Sequence, residues 1–97
     1  GNVVPARTAL GMAFPNPFVN DMTIELALRH QSEVTLDVYD LSGRRVANVL
    51  HGTQPAGLRL VKWDGRGERG VRLAPGIYLM KLDADGVRQT RRVMLVP

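Results

Sequence analysis

The feature that most constrains the fold of this chain is the alternation of apolar residues with polar or small ones. Apolar side chains recur at every second position in three separate runs, at 22–28, 34–38 and 78–82. A period of two is typical of strands that bury one face. No stretch shows a comparable helical period with capping residues. The pattern therefore predicts an all-β domain.

Turn-forming residues separate these runs at regular intervals, in segments that contain proline, glycine or both. Proline lacks a backbone donor, and glycine accepts a positive φ, so both interrupt a ladder. Asp85-Gly86 is a strong signal for a two-residue hairpin. We predict a seven-stranded antiparallel immunoglobulin-like β-sandwich, with strands near 9–14, 22–28, 33–40, 44–50, 58–63, 76–83 and 87–96.

The same alternation predicts which side chains form the core. Trp63 and Tyr78 should be its large anchors, and each needs a hydrogen-bond partner for its polar end. The last apolar run, 93–96, is apolar on both faces and predicts a strand deep within the sheet. The core positions that we predict are Ile24, Leu26, Leu36, Val38, Val61, Trp63, Tyr78, Met80 and Leu82.

The length of 97 residues fits one domain. We expect residues 1–9 to be a linker from a preceding domain and residues 10–97 to be the immunoglobulin-like domain. No apolar run approaches the roughly 20 residues that span a bilayer. The sequence has no cysteine, so the core must stabilise the fold without disulfides, and the redox compartment cannot be inferred.

No pattern of catalytic or metal-binding residues is visible in the sequence. His30 and His51 are far apart, each beside a turn, whereas a metal site needs converging ligands. Neither Ser32 nor Ser42 lies in a nucleophile-elbow sequence. The segment 83–86 begins like a calcium loop but lacks the later ligands. We therefore predict no enzymatic activity, no metal and no cofactor.

Five residues are predicted to shape turns. Asp40 can accept hydrogen bonds from its hairpin, and Gly43 can adopt a positive φ there. Asp64 and Gly65 open a glycine-rich loop that lacks the spacing of a phosphate-binding loop. Gly76 is expected to let the chain enter its strand close beside another backbone.

The net charge of +4 comes mainly from arginine. Arg88 and Arg92 should share one face of the last strand, with Arg91 on the other. These three are the predicted partner-binding residues, and a solvated surface is the alternative. A binding role is also open for Arg44 and Arg45. Nucleic acid is not expected as a partner, because the aromatic residues, 5% of the chain, are needed by the core.

Six short motifs in a fixed order resemble a known family. Together they resemble the flagellar-hook-capping-type (FlgD-like) Ig-like domain and the similar C-terminal sorting domain of the type IX secretion system, over about residues 12–96. The motifs are PNPF at 15–18, VYDLSGRRV at 38–46, PAG at 55–57, VKWDG at 61–65, APGIYLMKL at 74–82 and TRRVMLV at 90–96.

The resemblance implies a non-catalytic C-terminal module of a larger secreted bacterial protein, located outside the cell or on its surface. Such modules are read by export machinery at the outer membrane, and the fused N-terminal cargo is joined to anionic lipopolysaccharide or released. We expect a monomer. The sorting family usually carries a lysine-containing motif where Arg91 and Arg92 stand here. The alternatives are a structural scaffold of the hook-cap type and a carbohydrate-binding module, although the sequence offers no spare tryptophan as a sugar platform.

Overall fold

The computed structural model describes residues 4–97, so residues 1–3 of the predicted linker lie outside the described residues. The predicted seven strands are confirmed, and every boundary but one lies within one residue of its predicted position. The strands are β1 (Ala9–Phe14), β2 (Met22–Leu28), β3 (Ser32–Tyr39), β4 (Arg45–Gln54), β5 (Gly57–Trp63), β6 (Gly76–Ala84) and β7 (Val87–Leu95).

The exception is the end of β4, which continues four residues beyond the predicted position 50. Gly52 pairs with Val34 within this extension and has a φ of +108° that only glycine adopts readily. The ladder continues to the pair Ser32–Gln54. Pro55 then ends the strand, because proline has no N–H to donate.

The strands form two antiparallel sheets that pack as the predicted immunoglobulin-like sandwich. One sheet has the order β1-β2-β5, and the other has the order β4-β3-β6-β7. The prediction that the last run lies deep in the sheet is wrong, because β7 is an edge strand. Only alternate residues of that run, Val93 and Leu95, are buried, and Met94 points outward with 38% of its surface exposed.

All nine predicted core residues are buried. Trp63 lies at the centre of an aromatic group, with its ring centroid 5.5 Å from that of Phe18 and 6.1 Å from that of Tyr78. The indole Nε1 donates to the carbonyl of Arg66 at 3.1 Å, and the Tyr78 hydroxyl donates to the carbonyl of Ala74 at 2.5 Å. Both anchors therefore have the polar partner that burial requires.

The outer edge of β7 is covered by the segment between β1 and β2. Asn16 Nδ2 donates to the carbonyl of Arg92 at 3.0 Å, and Asn16 Oδ1 accepts from the Met94 amide at 2.9 Å. Phe18 continues the pairing, with its amide 2.9 Å from the Met94 carbonyl and its carbonyl 2.9 Å from the Val96 amide. These bonds occupy backbone groups that an edge strand otherwise leaves open to other chains.

Across residues 4–97, the structure contains no helix of the length and apolar character that crossing a membrane requires.

Candidate functional site

The outer face of the four-stranded sheet carries a group of basic and polar side chains along β7. The pleat of β7 directs Gln89, Arg91, Val93 and Leu95 toward the interior and the residues between them outward. Lys81 of β6 pairs with Thr90 of β7 and is exposed on the same outer face. We call this surface the basic strip; it consists of Lys81, Arg88, Thr90 and Arg92.

Two of the three arginines predicted to bind a partner lie in the basic strip. Arg88 is paired across the ladder with Asp83, and its Nε lies 3.1 Å from Asp83 Oδ2, yet 85% of its side chain is exposed. An ion pair this exposed contributes little to stability and leaves the guanidinium accessible. The Arg92 guanidinium is exposed and has no ion-pair partner within the described residues 4–97.

The third arginine, Arg91, has a different environment. Its side chain is half-buried between the sheets, where Nε donates to the Gly11 carbonyl at 3.2 Å and Nη2 to the Leu10 carbonyl at 2.6 Å. Gln89, on the same face of β7, binds the same part of β1: its Oε1 accepts a hydrogen bond from the Leu10 amide at 2.7 Å. These contacts satisfy the backbone of β1 at an irregularity in its pairing with β2. Arg91 therefore links the two sheets.

Asp37 is a buried charge on the same outer face that the sequence analysis did not single out. Only 3% of the residue is exposed, although it alternates with core residues of β3. His51 Nε2 lies 3.0 Å from its Oδ1, and Arg45 Nη1 lies 3.9 Å from its Oδ2. An aspartate in the middle of a strand is the available sequence signal, because strands are depleted in this residue.

A shallow groove of about 400 Å³ runs between Asp37 and the basic strip. Lys81 borders it, and its Nζ lies 4.6 Å from the centroid of the Tyr39 ring. Lys81 and Arg88 line the groove together with the carboxylates of Asp37 and Asp83, so positive and negative side chains are equal in number there. Within the basic strip, the exposed guanidinium groups are the part of this surface that is suited to anionic groups. Among residues 4–97 no cluster of three or more His, Cys, Asp or Glu side chains could hold a metal ion.

The β3–β4 turn is organised around the carboxylate of Asp40. Its Oδ1 accepts from the Ser42 amide at 3.0 Å, the Ser42 hydroxyl at 2.6 Å and the Arg44 amide at 3.0 Å. Gly43 has a φ of +90°, which glycine adopts without steric cost. Hydrogen bonds from the Ser42 side chain and then the Arg44 backbone lower the pKa of Asp40 below its ordinary value of 3.8.

The loop after β5 begins with Asp64 and Gly65. Asp64 Oδ1 accepts from the Arg66 amide at 3.1 Å, and the Gly65 carbonyl accepts from the Leu73 amide at 2.9 Å. Gly65 is itself buried, and a Cβ built there would lie 3.4 Å from the side chains of Phe18 and Leu95. The loop therefore closes on itself and against the core.

Gly76 is the first residue of β6 and pairs with Leu95 of β7. A Cβ built at Gly76 would have no atom within 4 Å. Its φ of +159° lies at the limit of the positive range and is close to extended backbone.

Comparison with protein-family models gives a match to the FlgD Ig-like domain over residues 19–86, which is more than half of the chain. The chain belongs to the FlgD Ig-like domain family. The matched segment runs from just after Phe18 to the β6–β7 hairpin, so it includes the turn at Asp40 and the loop at Asp64. No curated protein matches this FlgD Ig-like domain significantly.

Two solved structures share the fold of this FlgD Ig-like domain. Dimeric latent PorU from Porphyromonas gingivalis superposes with a TM-score of 0.72 and 22% identity, over 95% of this chain and 10% of PorU. PorZ, described as an essential bacterial surface component of the type-IX secretion system of the same organism, gives a TM-score of 0.61 and 22% identity, over 93% of this chain and 11% of PorZ. The chain thus spans about a tenth of the length of each.

Proposed function

We propose that this domain directs the secretion and cell-surface attachment of a larger extracellular bacterial protein, as a C-terminal module fused to its cargo. The observation that carries the proposal is the match of nearly the whole chain to one small part of PorU and of PorZ, the latter a surface component of a type IX secretion system. In both cases a domain with this fold is a small part of a much longer chain.

We further propose that the basic strip is the surface that export machinery at the outer membrane recognises. Arg88 and Arg92 project outward, and guanidinium groups pair well with carboxylates and phosphates. Anionic lipopolysaccharide is a second partner that suits this chemistry. The sequence prediction grouped Arg91 with these residues, but its hydrogen bonds to β1 suit a structural role. In this proposal the domain acts as a monomer outside the cell.

The test is a reporter protein fused in front of the domain and expressed in the native host. We expect the reporter to become accessible to an external protease on intact cells only when the domain is present. A fusion that is soluble and folded inside the cell but never reaches the surface would contradict the proposal.

A structural scaffold of the hook-cap type is the second candidate, because the family model that matches residues 19–86 is that of a FlgD domain. The same experiment separates the two functions. A scaffold module should leave the reporter inside the cell and should instead be recovered in an assembly with other structural subunits.

We also propose that the domain acts without catalysis, metal or cofactor. If so, its melting temperature should be the same with calcium, with zinc and with a chelator, because an ion that binds only the folded state raises its stability. A reproducible increase with either ion would contradict this.

A further inference from the structure

A second cationic surface lies at the end of the sandwich that holds the β3–β4 turn. A cleft of about 560 Å³ separates this turn from the loop at 64–75. We call it the arginine cleft. Its floor is formed by Val46 and Leu73, which are partly buried and pack against the core. Val71, with 67% of its surface exposed, stands at the rim. The cleft thus combines an apolar floor with a charged border.

The loop that forms one wall of the arginine cleft is held in a fixed conformation by its own hydrogen bonds. The Gly67 amide donates to the Val71 carbonyl at 2.9 Å, and the Gly70 amide donates to the Gly67 carbonyl at 3.0 Å. Arg66 Nη1 donates to the Gly70 carbonyl at 2.8 Å. The Glu68 amide joins the loop to β4 through the Val46 carbonyl at 3.1 Å. A wall fixed before binding loses little conformational entropy when a ligand binds.

Positive charge in the arginine cleft exceeds negative charge. Four arginines and one carboxylate, that of Glu68, line it. Glu68 is occupied by Arg45, whose Nε lies 2.9 Å from Glu68 Oε1. Arg69 has no ion pair or hydrogen bond within residues 4–97, and Arg72 donates only to a backbone carbonyl, that of Asp64, at 3.3 Å. The guanidinium groups of Arg69 and Arg72 are therefore available to an anionic ligand. Arg44 Nε lies 3.4 Å from Asp40 Oδ2, but 78% of the Arg44 side chain is exposed, and an ion pair this exposed is weak enough to exchange for a ligand carboxylate.

The apolar floor and the residue types of the border identify the class of ligand. No aromatic side chain lines the arginine cleft, so it offers neither a stacking platform for bases nor one for sugar rings. Guanidinium groups form paired hydrogen bonds with carboxylates, and the aliphatic floor suits an aliphatic side chain. A peptide that carries both types of side chain complements the whole cleft.

We propose that the arginine cleft binds an acidic segment of a partner protein, with its carboxylates on Arg44, Arg69 and Arg72 and an aliphatic side chain on Val46 and Leu73. This site is separate from the basic strip and does not depend on the role in secretion. The purified domain therefore tests it, whereas surface delivery of a reporter tests the proposed function.

The experiment is an amide NMR titration of the domain with a synthetic acidic peptide, Ac-EELEELEE-NH2, and with its neutral glutamine analogue. The test variant is Arg44→Gln/Arg69→Gln. The control variant, Arg7→Gln/Arg29→Gln, loses the same charge at exposed positions near the start of β1 and the β2–β3 turn. We expect shifts at Val46 and Leu73 with the acidic peptide, and an affinity about tenfold lower in the test variant than in the control.

Raising the salt concentration should weaken the binding, because the charges are exposed to solvent. The proposal is overturned if the acidic peptide does not bind, or if the test and control variants bind it equally. It is also overturned if dextran sulfate or vesicles with anionic lipid bind through Arg44 and Arg69 while the peptide does not. Binding of dextran sulfate would assign the cleft to an anionic glycan, and binding of the vesicles would assign it to a membrane surface.

Discussion

The side chain of Arg91 connects the two sheets through backbone carbonyl groups of β1. Both acceptors, on Leu10 and Gly11, lie where the pairing of β1 with β2 becomes irregular. A charged donor in a half-buried position forms a stronger hydrogen bond than a neutral one. Arg91 is therefore a structural residue within a strand whose other arginines face solvent.

Replacing Arg91 with glutamine should lower the free energy of unfolding by about 1–3 kcal/mol, because two part-buried carbonyls lose their donor. The double change Arg88→Gln/Arg92→Gln should alter it by less than about 0.5 kcal/mol, since those side chains are exposed. Denaturant unfolding measures both. Equal unfolding midpoints for the Arg91 variant and the parent would show that the link between the sheets contributes nothing.

Hydrogen bonds to the ionised carboxylate of Asp40 stabilise the folded state, and acid should remove this stabilisation. Because hydrogen bonds lower the pKa of Asp40 in the folded state, the stabilisation is fully present above the ordinary value of 3.8 and is lost as the pH falls through the lowered pKa. The Ser42 hydroxyl is the largest cause, so Ser42→Ala should raise the pKa of Asp40 toward 3.8. An NMR titration measures this. Leu41→Ala, in the same turn, should have no effect, and a similar shift in both variants would count against this explanation.

At the scale of residues, the sequence pattern predicted the face of the strand on which a side chain lies better than the residues that the side chain contacts. Alternation placed Arg91 opposite Arg88 and Arg92, and the structure has this arrangement. The contact of Arg91 with Leu10 joins residues that are 81 positions apart and depends on an irregularity in β1. The burial of Asp37 likewise depends on His51 and Arg45 of the neighbouring strand. The periodicity of the sequence contains no information about the contact of Arg91 with Leu10 or about the burial of Asp37.

At the scale of elements, the edge of β7 is closed by a segment outside any strand. Asn16 supplies both a donor and an acceptor to β7, and Phe18 adds two backbone hydrogen bonds. An edge strand that is paired in this way resists association with other chains. The C-terminal strand is thus part of the cooperative fold and not an appended tail.

Asn16→Ala should therefore have two effects. The free energy of unfolding should fall by about 1–2 kcal/mol, because the Arg92 carbonyl and the Met94 amide lose their partner. Light scattering on warming should also increase, because the edge of β7 becomes accessible. Asn20→Ala is the matched control, since Asn20 is exposed in the same connection. Identical unfolding and scattering for the two variants would refute this role of Asn16.

The positions of the strands along the chain could be predicted from the sequence. The order of the strands within each sheet could not. Period-two runs bounded by proline and glycine located nearly every strand end, because proline lacks a donor for the ladder and glycine adopts the positive φ that many turns require. The prediction ended β4 at position 50, whereas the ladder passes through Gly52, whose φ is positive, and continues to Gln54. The apolar run at 93–96 suggested a central strand, but the order of strands is set by long-range pairing.

At the scale of the whole molecule, the two candidate surfaces lie on one elongated sandwich of 42 × 23 × 19 Å. The basic strip covers the outer face beside β7, and the arginine cleft lies at the end where β3 turns into β4. The start of β1 lies beside the β6–β7 turn, where Thr8 Oγ1 donates to Asp85 Oδ2 at 2.8 Å, and this turn is at the opposite end of the four-stranded sheet from the arginine cleft. A domain joined to the chain before β1 therefore leaves the arginine cleft accessible.

In the proposed function, the exposed arginines of the basic strip deliver the cargo independently of the stability of the fold. The most direct measurement is the surface-exposed fraction of a reporter fused to the domain, with Arg88→Gln/Arg92→Gln compared with Arg7→Gln/Arg29→Gln and with the parent. All three should fold equally well. We predict that the surface fraction falls several-fold for the Arg88/Arg92 variant alone. An equal surface fraction for all three would contradict the claim and leave the basic strip as a solvated face.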